Sequence, residues 1–514
     1  MAHQVNLDAL IPREDFEVED KVGPSSPTAT LQIRNLEASD FFYSVIRKPD
    51  FQRETSDWSP PKICGFIQSF LDGDLIPALI LWQAGNHTFV IDGAHRLSAL
   101  IAWVHDDYGD GPTSKKFFDG VIPEEQISAA DYTRKLIKKQ IGSYADHEFA
   151  VKYPEKSKPD VVEKSKRLGR LAIQLQWVQG DATKAEASFF KINQQATPID
   201  ATELRLLKSR KLPNALAARA IVRAGTGHKY WSSFEAERRT EIEALAKGTN
   251  ELLFAPSLKT PIKTLDLPVA GKGYSSQTLP LVFEFVNLAN AVKPDTTLSE
   301  DESGESTLKM LKACKKVVDR ISGTHASSLG LHPVVYFYSS NGRYQPTAFL
   351  AVVALIGEFE KNNYYRTFIE TRRSFEDFLI KNKILVNQVT VKYGSAAKGY
   401  ARLKHLFSFL IDQFSRGESE EEIVKALGDN PEFSFLQPAE KESHHSAKDF
   451  NSDAKSAVFL RDALKDPLRC KICGGLIHRN AISIDHIQRR SECGRGAADN
   501  GQLTHPYCNT TIKN

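Results

Sequence analysis

Two pairs of candidate metal ligands near the end of the chain constrain its fold more than any other feature. Cys470 and Cys473 form a Cys-x-x-Cys pair, and His505 and Cys508 form a His-x-x-Cys pair further along. Two short-spaced pairs that lie far apart in sequence are typical of a tetrahedral zinc site. Zinc binding would let this core-poor segment fold without a large apolar core. The sequence therefore predicts a structural zinc site here.

Between these pairs lie residues with the chemistry for phosphodiester hydrolysis. Asp485 and His486 follow a short run in which apolar residues alternate. An imidazole titrates near neutral pH and can take a proton from water, and a neighbouring carboxylate can hold a hard divalent cation. Asn509 is placed to join Asp485 on that cation, and Asn500 is placed to orient the His486 ring by a hydrogen bond.

Each of these features also has a plainer interpretation. A lone Cys-x-x-Cys can be a redox pair, and Asp485-His486 can be a surface dipeptide. A zinc ribbon without catalysis would explain the four ligands but not Asp485, His486 and Asn509. His478 lies between strand-like runs with no partner in the motif, and we expect it to be exposed to solvent.

The order of these residues resembles the HNH (ββα-metal) endonucleases. Their pattern runs Cys-x-x-Cys, Asp-His, Asn and a second ligand pair ending in Cys-Asn, with a Lys or Arg beyond, here Lys513. The resemblance implies that His486 is the general base, that Asp485 and Asn509 bind the catalytic cation, and that Asn500 fixes the base. His505 stands where the family usually has cysteine, and histidine is also a zinc ligand.

The whole chain sets wider bounds. A length of 514 residues is too great for one core and predicts two to four domains. We find no apolar run long enough to span a membrane and no apolar segment of a signal peptide.

The cysteines outside the two ligand pairs show no pairing pattern. Cys64 and Cys314 stand alone in the sequence and Cys493 belongs to neither ligand pair, which is typical of a reducing cytoplasm. Residues 451–514 carry ten Lys or Arg and six Asp or Glu, a surplus that fits phosphate contacts and a mixed surface equally well.

A second candidate site follows a predicted β-hairpin. Residues 79–82 and 88–91 are strand-like, residues 97–104 have helical periodicity, and Asp92-Gly93-Ala94-His95-Arg96 lies between the second strand and the helix. A strand, a glycine turn and a helix N-terminus together form an anion site, where Arg96 could bind a phosphate. Asp92 could hold a hydroxyl or a cation, and His95 could exchange a proton. On the residues alone, a tight structural turn is the better interpretation.

This five-residue motif resembles the DGQQR or DGQHR motif of the ParB–sulfiredoxin-like domains in GmrSD-type restriction proteins and related phage-defence factors. Upstream and downstream matches extend the resemblance over roughly residues 35–210, with Ala94-His95 where many members carry Gln-Gln. It implies that nucleotide or the DNA backbone is bound by Gln52, Arg53, Asp92, Gly93, His95, Arg96 and Asn193. Nucleotide hydrolysis, which the family often shows, is an activity that the resemblance allows.

Together these features predict an α+β multidomain protein. We expect an N-terminal arm (1–34), a ParB–sulfiredoxin-like α/β domain (35–214), a largely α-helical domain (215–437), a linker (438–451) and a small zinc-stapled ββα-metal domain (452–514). Helical periodicity predicts helices over 277–292, 307–321, 345–358 and 400–414. Ser452 is predicted to cap a helix that leads into Cys470.

The functional hypothesis is a metal-dependent DNA endonuclease of the modification-dependent restriction type, acting in phage defence in the cytoplasm. The N-terminal domain would sense modified DNA or a nucleotide and gate cleavage. The expected cofactors are structural Zn²⁺, catalytic Mg²⁺ or Mn²⁺ and, at the N-terminal site, a nucleoside triphosphate. The expected partner is DNA, modified or from phage, with no membrane, and a homo-oligomer is compatible with the sequence.

Two other functions stay open. One is a DNA-binding regulator whose zinc fold is structural, and the other is a nucleotide hydrolase whose C-terminal end only positions DNA.

Overall fold

The computed structural model divides the chain into two compact units. It describes residues 4–14, 28–49, 52, 54–56, 58–120, 122–196, 205–206, 209–275, 277–293, 296–438 and 450–513, without the side chains of 193–196 and 490. Unit 1 comprises the described residues of Met1–Lys211, Thr226–Ser233 and Tyr274–Ser276. Unit 2 comprises those of Leu212–Gly225, Phe234–Gly273 and Gln277–Asn514. Most of the predicted linker lies outside the described residues.

Unit 1 is a mixed α/β domain. Its strands are β1 (Arg13–Glu14), β2 (Thr30–Gln32), β3 (Ile46–Pro49), β4 (Leu79–Ala84), β5 (His87–Asp92) and β6 (Ala172–Trp177). Its helices are α1 (Phe41–Val45), α2 (Pro60–Asp72), α3 (Ala94–His105), α4 (Pro112–Phe117), α5 (Glu124–Gln140), α6 (Tyr144–Lys152), α7 (Pro159–Leu168) and α8 (Ala182–Ala196). The predicted hairpin and the helix that follows it are confirmed.

The six strands form one sheet in the order β1-β3-β5-β4-β6-β2. The three strands β1, β3 and β5 run parallel to one another, β4 is antiparallel to β5 and parallel to β6, and β2 is antiparallel to β6. The carboxyl ends of parallel strands meet at the same edge of a sheet, which is where α/β sheets commonly bind ligands. The segment after β3 and the Asp92–Arg96 turn after β5 therefore begin at the same edge.

Both faces of this sheet are covered, because successive side chains of a strand point to opposite faces. Leu81 of β4 and Val90 of β5 are buried in one core, whose helical side chains include Ile67 of α2. Trp82 and Phe89, one position along each strand, are buried in a second core. The second core is completed by residues of α8, Ala185 and Phe189.

Part of the predicted N-terminal arm packs within this domain. Val5, Leu10 and Ile11 are buried in the first core, and Arg13 of β1 lies in register with Lys48 of β3. Apolar burial and strand pairing thus make residues 4–14 part of the domain fold rather than an extension from it.

Unit 2 is largely α-helical. Its helices are α9 (Pro213–Val222), α10 (Ala236–Phe254), α11 (Thr278–Ala289), α12 (Glu305–Ile321), α13 (Pro333–Tyr336), α14 (Pro346–Asn362), α15 (Tyr365–Lys381), α16 (Ile384–Tyr393), α17 (Tyr400–Ser415), α18 (Glu420–Asp429) and α19 (Ser452–Ala463). The four helices predicted from periodicity are confirmed as α11, α12, α14 and α17. Among the described residues, no helix is long and apolar enough to cross a membrane.

The end of unit 2 is a strand–strand–helix unit. Strands β7 (Ser483–His486) and β8 (Gly501–Thr504) pair antiparallel, and a π-helical turn over Cys508–Ile512 follows. This order agrees with the predicted ββα arrangement. The helix that precedes it, α19, begins at Ser452, and its cap lies one residue before the predicted one: Oδ1 of Asn451 accepts the N–H of Ala454 at 2.8 Å.

Candidate functional site

The four predicted zinc ligands lie together. One ligand atom each from Cys470, Cys473, His505 and Cys508 falls in a group whose members are all within 4.8 Å of one another, and all four residues are buried. Three thiols and one imidazole at such spacing suit a four-coordinate zinc ion, which prefers sulfur and nitrogen ligands. The donor set therefore fits the predicted metal.

A tight turn brings the first pair of ligands together. The N–H of Gly474 donates to the carbonyl of Cys470 at 2.9 Å, and the N–H of Cys470 donates to the carbonyl of Gly475 at 2.9 Å. Gly474 has φ +70°, a backbone conformation that residues other than glycine rarely adopt. The chain can therefore fold back at Cys-x-x-Cys-Gly-Gly, so that both thiols point to one place.

The ring of His505 is oriented for metal binding through Nδ1. Its Nε2 lies 3.0 Å from the carbonyl oxygen of Leu476, so this nitrogen carries the proton and donates. Its Nδ1 faces the thiols and lies 3.4 Å from Sγ of Cys473. A backbone carbonyl that fixes the second ring nitrogen is the usual outer partner of a metal-bound histidine.

The candidate catalytic residues sit on the hairpin next to this cluster. Asp485 lies opposite Gln502 and His486 lies opposite Gly501 in the β7–β8 register. Oδ2 of Asp485 accepts hydrogen bonds from Nε2 of Gln502 at 2.8 Å and from Nζ of Lys513 at 2.6 Å. Burial acts to raise the pKa of Asp485, but the hydrogen bonds from Lys513 and Gln502 outweigh it and hold that pKa below its ordinary value. The carboxylate is therefore ionised at neutral pH.

The side chains of the two candidate asparagines are held by hydrogen bonds to β7 and to the segments beside it. The side-chain amide of Asn509 donates to Oγ of Ser483 at 2.8 Å, which anchors the π-helical turn on β7. Oδ1 of Asn500 accepts the N–H of Gln488 at 2.7 Å, and its amide donates to the carbonyls of Gln488 and Arg495. Asn500 thus fixes the chain just after His486, and its direct bond to the His486 ring stays a prediction.

One expectation in this region is wrong. His478 was expected to be exposed, but its side chain is fully buried, with its ring 5.4 Å from that of His332 in an edge-to-face contact. Nδ1 of His478 accepts the N–H of Asn480, so the ring caps a short turn instead of reaching solvent. The strand-like residues around it gave no sign of this, because the covering residues are distant in sequence.

In unit 1, the turn after β5 has the predicted form. Gly93 has φ +94° and joins β5 directly to α3. Nη2 of Arg96 donates to Oδ2 of Asp92 at 2.8 Å and to the carbonyl of Ala78 at 3.2 Å. A side chain at position 93 would meet Leu79 at 2.4 Å and Arg96 at 2.9 Å, so glycine is required for the close approach.

Other predicted residues of this site have mixed outcomes. The ring of His95 stacks on Trp58, with ring centroids 5.9 Å apart, which brings the segment after β3 to the turn. Gln52 is buried, and its Oε1 has no hydrogen-bond partner among the described residues. Arg53 and the side chain of Asn193 lie outside the described residues, so their roles remain predictions.

Two family models match the chain. Residues 470–514 match the model for the HNH endonuclease, which spans both ligand pairs and the β7–β8 hairpin. The C-terminal end is an HNH endonuclease domain. Residues 33–210 match the GmrSD restriction endonuclease, N-terminal domain, which spans strands β3 to β6 and the Asp92–Arg96 turn. No curated protein and no solved structure matches the chain.

The HNH domain gives the chain its chemistry. It is a phosphodiester hydrolase domain that implies DNA as substrate and the use of a divalent metal. In combination with the GmrSD-type N-terminal domain, it supports a restriction-type nuclease.

The sequence did not reveal all residues around the HNH domain. Lys513 was noted in the motif without a role, but its Nζ donates to Asp485 and to the carbonyl of His486. Arg372 and Glu376 of α15 were not singled out at all, although both are fully buried and contact this domain. A charged pair four residues apart on a helix is usually a solvent-exposed pair. Nothing in the local sequence distinguishes this one.

Proposed function

We propose that this protein is a metal-dependent DNA endonuclease of the restriction type, in which the N-terminal site controls cleavage by the HNH domain. The observation that carries the proposal is that the end of the chain packs on strand β7, where Asn509 donates to Ser483 and Lys513 donates to Asp485, next to the Cys3His group. A buried ligand group holds the fold, and an ionised carboxylate beside it is available to a hard cation.

In this proposal each of the candidate residues has a separate role in hydrolysis. His486 takes the proton of the attacking water, and Asn500 holds the segment after His486 through the N–H groups of Ile487 and Gln488. Asp485 and Asn509 would hold Mg²⁺ or Mn²⁺, which would stabilise negative charge at the phosphate. Lys513 donates to Asp485 and helps to hold its pKa below the ordinary value.

The zinc ligands have a structural role in this scheme. Cys470, Cys473, His505 and Cys508 are all buried, which suits a closed site without an open position for water. The metal would connect the turn after Cys470 with the segment after β8, so that the hairpin between them is held at both ends.

We further propose that the Asp92–Arg96 turn binds the signal for cleavage, either modified DNA or a nucleotide. Arg96 lies in the first turn of α3, a helix whose N-terminus follows the carboxyl end of β5. This N-terminus favours an anion, and the guanidinium of Arg96 can bind phosphate when it releases Asp92. Nucleotide hydrolysis by unit 1, with an HNH end that only positions DNA, is the alternative function.

The first experiment is cleavage of supercoiled plasmid, modified and unmodified, with Mg²⁺ or Mn²⁺. We expect His486→Ala to lower the cleavage rate about 10²- to 10⁴-fold, because general-base catalysis contributes about that much. His325→Ala, which changes an exposed histidine, is the matched control and should cut like the wild type. Wild-type protein that holds zinc but cuts neither plasmid would instead support a DNA-binding regulator.

The control of cleavage is tested separately at Arg96. We expect Arg96→Ala to weaken binding of the modified plasmid or of the nucleotide and to uncouple either ligand from cleavage. An Arg96→Ala variant that binds and cuts like the wild type would contradict this part of the proposal. Nucleotide turnover that survives His486→Ala and accounts for protection against phage would favour the nucleotide hydrolase.

A further inference from the structure

Helix α15 lies directly against the candidate zinc cluster. The side chains of Arg372 and Glu376 on this helix are both fully buried and form an ion pair, with Nε of Arg372 2.7 Å from Oε1 of Glu376. Buried ion pairs are costly to form, because both charges lose water. Such a pair is tolerated where its remaining donors and acceptors also form hydrogen bonds. Here they contact the HNH domain and the segment that precedes α13.

Arg372 reaches the zinc ligand His505. Nη1 of Arg372 lies 3.2 Å from Nδ1 of His505, the ring nitrogen that faces the thiols. The same guanidinium donates to the carbonyls of Leu329 at 2.5 Å and Gly330 at 3.0 Å. Arginine keeps its charge in proteins, and Glu376 pairs with it here, so Arg372 is a cation beside the ligands.

Glu376 controls the other side of the same ring. Its Oε2 accepts the N–H of Leu476 at 2.9 Å, a contact between residues 100 positions apart in the sequence. The carbonyl of this same Leu476 accepts Nε2–H of His505. One helix therefore contacts the His505 ring in two ways: Arg372 lies beside Nδ1 as a cation, and Glu376 holds the backbone group that accepts Nε2–H.

The glycines of this region show how close the approach is. A Cβ at Gly475 would lie 2.3 Å from Nε of Arg372, and a Cβ at Gly330 would lie 2.6 Å from Cδ2 of His505. Real Cβ atoms are essentially never found at such distances. The glycine that ends Cys-x-x-Cys-Gly-Gly is therefore needed to admit the Arg372 side chain, in addition to any need of the turn itself.

We propose that Arg372 and Glu376 are the outer sphere of the Cys3His zinc site, and that the HNH domain holds zinc with full affinity only together with α15. Three thiolates and a neutral imidazole on Zn²⁺ would leave a net charge of −1, and Arg372 presents the positive end of its ion pair with Glu376 to that charge. Glu376 is a positioning residue in this scheme, since it acts on His505 through Leu476. Arg372 acts by its charge, because Nδ1 of His505 cannot accept a hydrogen bond while it binds zinc. The inference rests on the zinc site of the proposed function and adds the helical segment to it.

The test is the zinc affinity of the full-length protein, measured by competition with a chromophoric chelator. Outer-sphere changes typically lower metal affinity about 10- to 100-fold. We expect a loss of that size in Arg372→Met/Glu376→Gln, a double variant that leaves no unpaired buried charge and keeps an acceptor for the N–H of Leu476. The matched control is Arg373→Met, which changes the neighbouring arginine of the same helix, whose side chain is 71% exposed.

Cobalt substitution gives a second readout that simple destabilisation would not change. The absorption bands of Co²⁺ report its ligand geometry, and we expect them to shift in the folded double variant but not in Arg373→Met. A folded double variant with wild-type zinc affinity and wild-type cobalt bands would overturn the proposal.

A conservative variant covers the case in which the double variant does not fold. Arg372→Lys keeps the charge but cannot reproduce the planar fork that spans His505, Glu376 and two carbonyls. We expect it to lose zinc faster than the wild type, and a wild-type rate would overturn the proposal. Wild-type protein that binds no zinc would instead refute the zinc site of the proposed function.

Discussion

The turn after β5 in unit 1 and the candidate zinc cluster in unit 2 are both glycine-containing polar sites, but they are held in different ways. Asp92, the last residue of β5, and Arg96, in the first turn of α3, are four residues apart and form an ion pair with both side chains partly exposed. The residues of the candidate zinc cluster lie far apart in sequence: Cys473 and His505, for example, are 32 residues apart. Further contacts to the cluster come from helix α15, and all four candidate ligands are buried.

This difference predicts where substitutions will be costly. Ion pairs that are exposed to solvent contribute about 0.2–1 kcal/mol. Breaking a buried pair by removing one partner costs about 3–5 kcal/mol, because the other charge is left uncompensated. The turn in unit 1 can therefore release Arg96 to a ligand at small cost, whereas the zinc cluster is suited to rigidity.

The largest effect should follow the loss of a zinc ligand. Zinc contributes about 10 kcal/mol or more to the folding of small structural sites, so Cys473→Ala should abolish stoichiometric zinc binding and DNA cleavage. Metal analysis and calorimetry would measure it, and we expect the helices of unit 2 to stay folded on their own apolar core. Cys493→Ala, which removes an exposed thiol, serves as the control. Full zinc content in Cys473→Ala would show that Cys473 is not a required ligand and that the cluster in unit 2 is not more sensitive to substitution than the turn in unit 1.

Acid should weaken unit 2 through a buried histidine. Burial lowers the pKa of His478 to about 4. The unfolded chain therefore binds a proton first, near pH 6.5, so the contribution of His478 is complete above that pH and is lost as the pH falls towards 4. The loss amounts to about 3 kcal/mol for a shift of this size.

Urea unfolding at pH 7 and pH 5 would measure this effect. The free energy of unfolding of His478→Gln should depend less on pH than that of the wild type. Because both proteins keep the thiol ligands, the acid sensitivity of those ligands cancels in the comparison. An identical pH dependence in the two proteins would show that His478 does not contribute.

A smaller effect is expected at the turn in unit 1. Gly93→Ala places a methyl group 2.4 Å from Leu79 in a backbone conformation with φ +94°, which should destabilise unit 1 by about 1–3 kcal/mol. Gly65→Ala is the control, since a Cβ there meets nothing within 4 Å and lies inside α2. We expect that control to stabilise the protein by about 0.5–1 kcal/mol. Equal thermal stability of Gly93→Ala and wild type would mean that the turn tolerates a side chain.

The smallest effect concerns the entry to the HNH domain. Because Asn451 caps α19, Asn451→Ala should cost about 1 kcal/mol, whereas Ser452→Ala should cost less. Denaturant titration of both variants would measure the difference. A larger cost for Ser452→Ala would restore the cap predicted from the sequence.

Features that depend on neighbouring residues could be predicted from the sequence. The period of two in β4 and β5 and the period of 3.6 in α12 and α17 are local, so the sequence predicts these elements. The four candidate zinc ligands and the Asp485-His486 pair can be proposed from the sequence for a similar reason, since their chemistry is carried by residue type and spacing. The burial of His478 could not be predicted, because Asp266 and His332 approach it from distant segments.

The sequence by itself determined which groups are present: two ligand pairs, an Asp-His pair at the end of a strand, and a glycine turn before α3. The tertiary structure decided what surrounds them. Arg372 and Glu376 look like any helical ion pair in the sequence, and only the packing of α15 makes them contacts of His505 and Leu476. The physical reason is that burial and long-range hydrogen bonds depend on which segments pack together, and no local pattern of residues encodes that.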